Sequence, residues 1–328
     1  MILISFGTRP EYIKIRPLIK AFNGKISYKL LFTGQHVDLL SKIEGDIHRL
    51  EIQDGPNRLD SIVSSVMNND EIFHGIDAVL VQGDTTSVFA VALAAFHRKI
   101  KIIHLEAGLR TFNKDHPYPE EFNRRAVSVM ADIHLSPTEV CTNNLRKERI
   151  DGKIFTVGNT VLDNLVHIQP ERSNKIVITM HRRENHHIIP EWFTMFDKLA
   201  HDNPEYEFII PLHPNPNVQK HRDLLKYVKA VDPMDYDSFI HLLSRSHMVI
   251  TDSGGLQEES SFFNKKCIVC RETTERVEGM GTFAFMSSPE TIEKDFYMIM
   301  EDPIPNDECP YGDGLSANRI TNILLEEL

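Results

Sequence analysis

Near-continuous apolar runs of about four to six residues recur along this chain, and most are followed by a stretch whose apolar positions fall at helical spacing. That alternation constrains the fold more than any other feature. Strands buried on both faces read as unbroken Val, Ile and Leu, and intervening helices make parallel crossovers, so the pattern predicts an α/β protein with doubly wound parallel sheets. A first series places strands at 2–6, 29–33, 78–82, 101–105, 133–136 and 154–157, with helices at 10–22, 86–97 and 120–131. A second places strands at 175–180, 207–211, 248–251 and 267–270, with helices at 189–200, 236–244 and 256–263. The polar run HIQPERSNK at 167–175 separates them. A chain of 328 residues accommodates two ordinary domains. We expect one over 1–168 and the other over 169–312, with an amphipathic closing helix over 313–328.

Composition excludes several function classes. Asp and Glu outnumber Lys and Arg by 47 to 36, a net charge of −11, which disfavours non-specific binding of nucleic acid or an anionic membrane. No apolar run is long enough to span a bilayer, and the N-terminal MILISF lacks the basic flank of a secretory leader. The four scattered cysteines fit reduced thiols and a cytoplasmic location. Cys267 and Cys270 form C-x-x-C inside a predicted strand, where residues three apart point to opposite faces. Core packing is therefore expected of them rather than redox or metal chemistry.

Ligands of open α/β sheets bind beyond the carboxyl ends of the strands. After the first strand comes Gly7-Thr8-Arg9-Pro10-Glu11, a helix start that with Arg9 suits a phosphate, and Lys14 follows one turn on. After the third comes Gln82-Gly83-Asp84-Thr85, where Asp84 is either a helix N-cap or a functional carboxylate. After the fourth come Glu106 and then Glu120 and Glu121 at a helix start. Asp84 and Glu106 leave neighbouring strands at one edge, and carboxylates sharing a cleft split their pKa values into an acid and a base. In the second series His181-Arg182-Arg183 ends one strand, and Asp252-Ser253-Gly254-Gly255 opens a helix as an anion-binding nest, with Glu258 and Glu259 placed to accept ribose hydroxyls. His186 and His187 match no zinc-ligand spacing. The G-x-G-x-x-A at 279–284 stands too far from a strand for a dinucleotide fingerprint, and there is no P-loop.

GTRPEYIK, TGQH, GDTTS, HLEAGLRT, PEEFNRR, GNTVLDNL, HRREN, HPNPNV, TDSGGLQEE, TTERVE and PYGDG run in order from residue 4 to residue 314. In this the chain resembles the non-hydrolysing UDP-N-acetylglucosamine 2-epimerases; hydrolysing relatives differ at GDTTS and HLEAGLRT. The resemblance implies a GT-B-like architecture, two Rossmann-like domains with the active site in the cleft between them and a C-terminal helix returning to the first domain. It implies catalytic roles for Asp84, Glu106, Glu120 and His181. Contacts to UDP would fall on Arg9, Lys14, Phe239, Ser253, Gly254, Gly255, Glu259 and Arg276. It implies a cytoplasmic homodimer acting on UDP-N-acetylglucosamine, without metal or cofactor, in cell-surface polysaccharide biosynthesis. Met234 stands where the family usually has Gln, and Val277 where it has Pro. In bacterial members the neighbourhood after TGQH helps bind a second, activating substrate molecule; here it reads VDLL. The alternatives are a GT-B glycosyltransferase using a UDP-sugar, a hydrolysing epimerase that releases N-acetylmannosamine, and a catalytically dead nucleotide-sugar sensor.

Overall fold

Strand β1 (Ile2–Phe6) is buried at all of its positions, as the run ILISF requires. It is the middle of a parallel sheet that grows outward in both directions. In a computed structural model describing residues 1–34, 47–52, 55, 57–303 and 307–328, β1 pairs on one side with β2 (Tyr28–Phe32) and on the other with β4 (Ala78–Gln82). Strands β3 (Ile47–Arg49), β5 (Lys101–Leu105), β6 (Ile133–Ser136) and β7 (Lys153–Thr156) complete the order β3-β2-β1-β4-β5-β6-β7. Helices α1 (Arg9–Phe22), α2 (Arg58–Met67), α3 (Thr86–His97), α4 (Glu120–Met130) and α5 (Glu139–Lys147) accompany them. The VDLL run at 37–40 lies outside the described residues.

A second parallel sheet has the order β10-β9-β8-β11-β12-β13. Its strands are β8 (Lys175–Thr179), β9 (Glu207–Pro211), β10 (Lys229–Val231), β11 (Met248–Thr251), β12 (Lys266–Val269) and β13 (Ala284–Met286). Its helices are α6 (Ile189–Asp202), α7 (Pro216–Gln219), α8 (Tyr236–Ser244), α9 (Gly254–Phe262) and α10 (Ile292–Glu301). Both orders run third, second, first, fourth onward, the doubly wound nucleotide-binding arrangement, with switch points between β1 and β4 and between β8 and β11.

The chain divides into Met1–Asn164 with Gly312–Leu328, and Leu165–Tyr311. In the first unit helix α11 (Ser316–Glu327) joins the core of α1, its Ile320 and Leu324 in one cluster with Leu18 and Phe22. Asp163 accepts from the backbone N–H of Ser316 and Ala317 at 3.2 and 2.7 Å, satisfying the orphan donors at the start of that helix. Helix α9 begins two residues earlier than expected, so Gly254 and Gly255 are its first turn rather than its approach. Cys267 and Cys270 are both buried, and burial pushes the Cys267 thiol up to about 12, which makes it inert. Among the described residues no helix is long and apolar enough to cross a membrane.

Candidate active site

Strands β4 and β5 pair from Ala78↔Lys101 to Gln82↔Leu105, so the chain leaves both at the same edge. Asp84 follows one exit and Glu106 the other. The cap of α3 is Thr85, whose hydroxyl accepts from Val88 N–H at 3.3 Å, so Asp84 is not spent on capping. Its Oδ2 is held by Arg124, through Nε at 3.1 Å and also through a terminal nitrogen, while the Asn123 amide donates to its carbonyl at 2.9 Å. Arg124 also pairs with Glu121, which is fully buried and accepts from the backbone N–H of Thr111 and Phe112. The PEEFNRR segment is thus a clamp: Glu121, Asn123 and Arg124 fix the loops carrying Asp84 and Glu106, and Glu120 opens α4 half-buried.

Glu106 is more tightly bound still. Lys14 Nζ lies 2.6 Å from each of its carboxylate oxygens, and the Gln82 amide donates to Oε2. Its backbone sits at φ 65°, a left-handed conformation that costs a non-glycine residue roughly 1–3 kcal/mol and clusters at functional sites. A Cβ placed on Gly83 would lie 3.7 Å from Glu106 Oε2, so the two loops are in contact. Arg9, at the first turn of α1, is exposed.

The second unit builds its own switch-point site. The Thr179 and Thr251 hydroxyls pair at 2.5 Å where β8 and β11 end, and His181 and Asp252 follow. The Arg276 guanidinium donates to Glu258 at 2.9 Å and also pairs with Glu275. A Cβ on Gly254 would fall 2.9 Å from that guanidinium, so a cation lies against the positive end of α9, a combination suited to a diphosphate. Ser253 is the half-buried N-cap. Glu259 accepts from the Tyr236 hydroxyl at 2.8 Å, and Phe239 is half-buried one turn along α8. Glu258, read as a ribose acceptor, instead pairs with Arg276. Among the described residues no group of three or more His, Cys, Asp or Glu is placed to hold a metal ion.

The family model for UDP-N-acetylglucosamine 2-epimerase matches residues 20–325. The chain is 38% identical to the UDP-N-acetylglucosamine 2-epimerase of Neisseria meningitidis, covering 99% of both chains, and 35% identical to that of Bacillus subtilis, covering 99% of this chain and 94% of the other. The chain belongs to the UDP-N-acetylglucosamine 2-epimerase family. The crystal structure of the Neisseria epimerase bound to UDP-GlcNAc matches with a TM-score of 0.90 at 37% identity, over 99% of each chain. The Methanocaldococcus jannaschii epimerase in complex with UDP-GlcNAc and UDP matches with a TM-score of 0.85 at 28% identity, over 99% of each chain. MurG of Acinetobacter baumannii, at 11% identity and a TM-score of 0.61, shares the GT-B-like fold.

Within the epimerase motif GTRPEYIK, sequence reading assigned nothing to Glu11, although Thr8 and Glu11 have the spacing of a helix capping box. Glu11 is buried, accepts from Gly7 N–H at 3.1 Å and the Thr8 hydroxyl at 2.6 Å, and pairs with the Thr85 hydroxyl at 2.9 Å. It therefore ties the turn after β1 to the loop carrying Asp84. Burial raises its carboxyl to about 7 against the partly offsetting hydrogen bonds. The folded state then keeps a proton that the unfolded state releases at its ordinary value, so this group's stability is full below about pH 4.5 and is lost as pH rises through 7. Glu11→Gln, which mimics the protonated form, should match wild type in thermal unfolding at pH 4.5 and exceed it at pH 8 by up to about 3 kcal/mol. Parallel pH dependence of the two proteins would show that Glu11 is ionised in the fold.

Proposed function

We propose that this protein interconverts UDP-N-acetylglucosamine and UDP-N-acetylmannosamine without hydrolysis, by eliminating and re-adding UDP. The C2 proton of the sugar is not adjacent to a carbonyl, so direct deprotonation is too difficult. Cleavage of the C1–O bond sends its electron pair away with UDP and gives the ring oxocarbenium character. That acidifies C2–H, a carboxylate removes the proton, and a C1=C2 double bond forms. Protonation of C2 on the other face and re-addition of UDP at C1 close the cycle, with no oxidant or reductant needed. Asp84, Glu106 and Glu120 supply acid and base, and His181 assists the diphosphate or a proton transfer. Arg9, Lys14, Arg276 and the helix start at Ser253, Gly254 and Gly255 stabilise the departing UDP, while Phe239 and Glu259 hold its nucleoside.

The observation that carries this reading is the pair of carboxylates, Asp84 and Glu106, at adjoining strand ends, each fixed by a cation. A glycosyltransferase has no use for acid–base groups at C2. Incubation in heavy water with UDP-N-acetylglucosamine, followed by proton NMR, tests it: deuterium should enter C2 of both epimers, with UDP-N-acetylmannosamine as a minority of the mixture. Free N-acetylmannosamine as the main product would mean hydrolysis, and absence of C2 exchange would mean glycosyl transfer.

The same reading places the enzyme in the cytoplasm, supplying cell-surface polysaccharide synthesis, as a homodimer. Phe96 on α3 and Phe122 and Val129 on α4 are exposed at heptad spacing from their neighbours, and Phe89 and Phe122 meet across the two helices at 5.8 Å, an apolar face of the kind copies of a chain cover. Sedimentation velocity at micromolar protein checks the assembly.

A further inference from the structure

The motif HPNPNV follows β9, and nothing in the reaction above uses it. Its His213 stacks on His181, ring centroids 5.5 Å apart and planes 18° from parallel. Beside His181 Nδ1 lies Asp252, which is completely buried. Asp252 Oδ2 accepts from the backbone N–H of His181 at 2.9 Å, from that of Arg182 at 2.8 Å and from the Asn185 amide at 3.2 Å. Three donors from the segment after β8 thus hold the carboxylate still. Its second oxygen, Oδ1, is buried without a hydrogen bond among the described contacts and lies 3.3 Å from His181 Nδ1.

We propose that Asp252 is a positioning residue for His181: Oδ1 takes the imidazole Nδ1–H, which turns Nε2 outward as the nitrogen that meets substrate, and His213 holds the plane of the ring. A buried carboxylate oxygen left without a donor is costly, and Nδ1–H is the donor within reach. The opposite tautomer would set two lone pairs against each other. The groups facing His181 are Asp252 from the end of β11 and His213 from the end of β9, with His186 beside His213. Burial, then the proximity of His181, lowers the His213 value below that of an ordinary imidazole. With Nδ1 tied to Asp252 and the ring plane held by His213, Nε2 is the nitrogen presented as UDP leaves and diphosphate charge develops.

This inference rests on His181 acting in the reaction, so His181→Gln is measured alongside. The test is Asp252→Asn in the full chain. Its amide oxygen can keep accepting from the two backbone N–H groups, while its NH2 faces Nδ1 and enforces the wrong tautomer. We expect kcat to fall by about 100-fold or more, KM for UDP-N-acetylglucosamine to change by less than about threefold, and a limb of the kcat–pH profile to move. A folded Asp252→Asn protein with wild-type kcat and pH profile, beside an inactive His181→Gln, overturns the positioning role alone. Wild-type turnover in His181→Gln overturns the catalytic reading of His181 and this inference with it. Should Asp252→Asn fail to fold, imidazole nitrogen NMR of the wild-type protein decides, with His181→Gln assigning the signal. An Nδ1–H tautomer supports the inference and an Nε2–H tautomer overturns it.

Discussion

Asp84→Asn should lower kcat for epimerisation by at least about 100-fold, the usual scale for removing a group that transfers a proton, while UDP binds within about threefold of wild type. The described contacts to its carboxylate fall on Oδ2, from Arg124, so a substituted amide can turn its oxygen to Arg124 and keep that anchor. Loss of turnover then reports loss of a proton acceptor rather than of the loop. Glu106→Gln should show a comparable loss with a different accompaniment. Both Glu106 oxygens lie 2.6 Å from the Lys14 ammonium, so an amide there turns donors toward a cation. It should therefore lose stability as well as turnover, and Lys14→Met added to it should restore part of the stability and none of the activity. Steady-state kinetics, UDP titration calorimetry and thermal unfolding separate these effects. Near-wild-type turnover in Asp84→Asn would reduce Asp84 to a structural partner of Arg124.

The parts of this site legible in the sequence were those fixed by chain position. In a doubly wound sheet the residues leaving the central strands are set by the strand order, and here the two switch points lie beside Gly7 and Gly83 in one sheet and beside His181 and Asp252 in the other. A reader who locates the buried strands has already located Asp84, Glu106 and His181. Their partners were not legible, because pairing is decided by tertiary packing. Arg124 reaches Asp84 across 40 residues and Lys14 reaches Glu106 across 92, and no spacing rule connects such pairs. Glu11, to which the sequence assigned no role, is buried. Among the elements, β3, β10 and β13 were missed for a physical reason. Each has three residues and stands at the edge of its sheet, so none carries the unbroken apolar run that announces a central strand. Helix α5 was missed because VCTNNLRK buries only Cys141, Thr142 and Leu145, too small a stripe to stand out.

The glycine of HLEAGLRT makes the second large prediction, and it separates packing from chemistry inside one motif. Gly108 has φ 94°, and a Cβ there would stand 2.3 Å from the carbonyl oxygen of Cys141 and 2.7 Å from its carbonyl carbon. The obstacle is backbone in the first turn of α5, not the tip of a side chain, so relief requires moving the helix. That helix is anchored to the same loop, because the Asn144 amide donates to the Gly108 carbonyl at 3.0 Å, and Arg110 grips Glu148 at 2.8 and 2.9 Å. Left-handed strain together with overpacking against backbone should make Gly108→Ala cost about 3–5 kcal/mol. Gly24→Ala is the matched control: its φ of 71° imposes the same kind of strain, but nothing lies within 4 Å of the added carbon, so about 1 kcal/mol is expected. Chemical denaturation of the two variants measures the difference, which is the contribution of the close approach to α5. Equal costs would mean that the loop yields freely at Gly108. In that case Glu106, two residues upstream, could not owe its left-handed backbone and its fixed place between Lys14 and Gln82 to the packing of this motif.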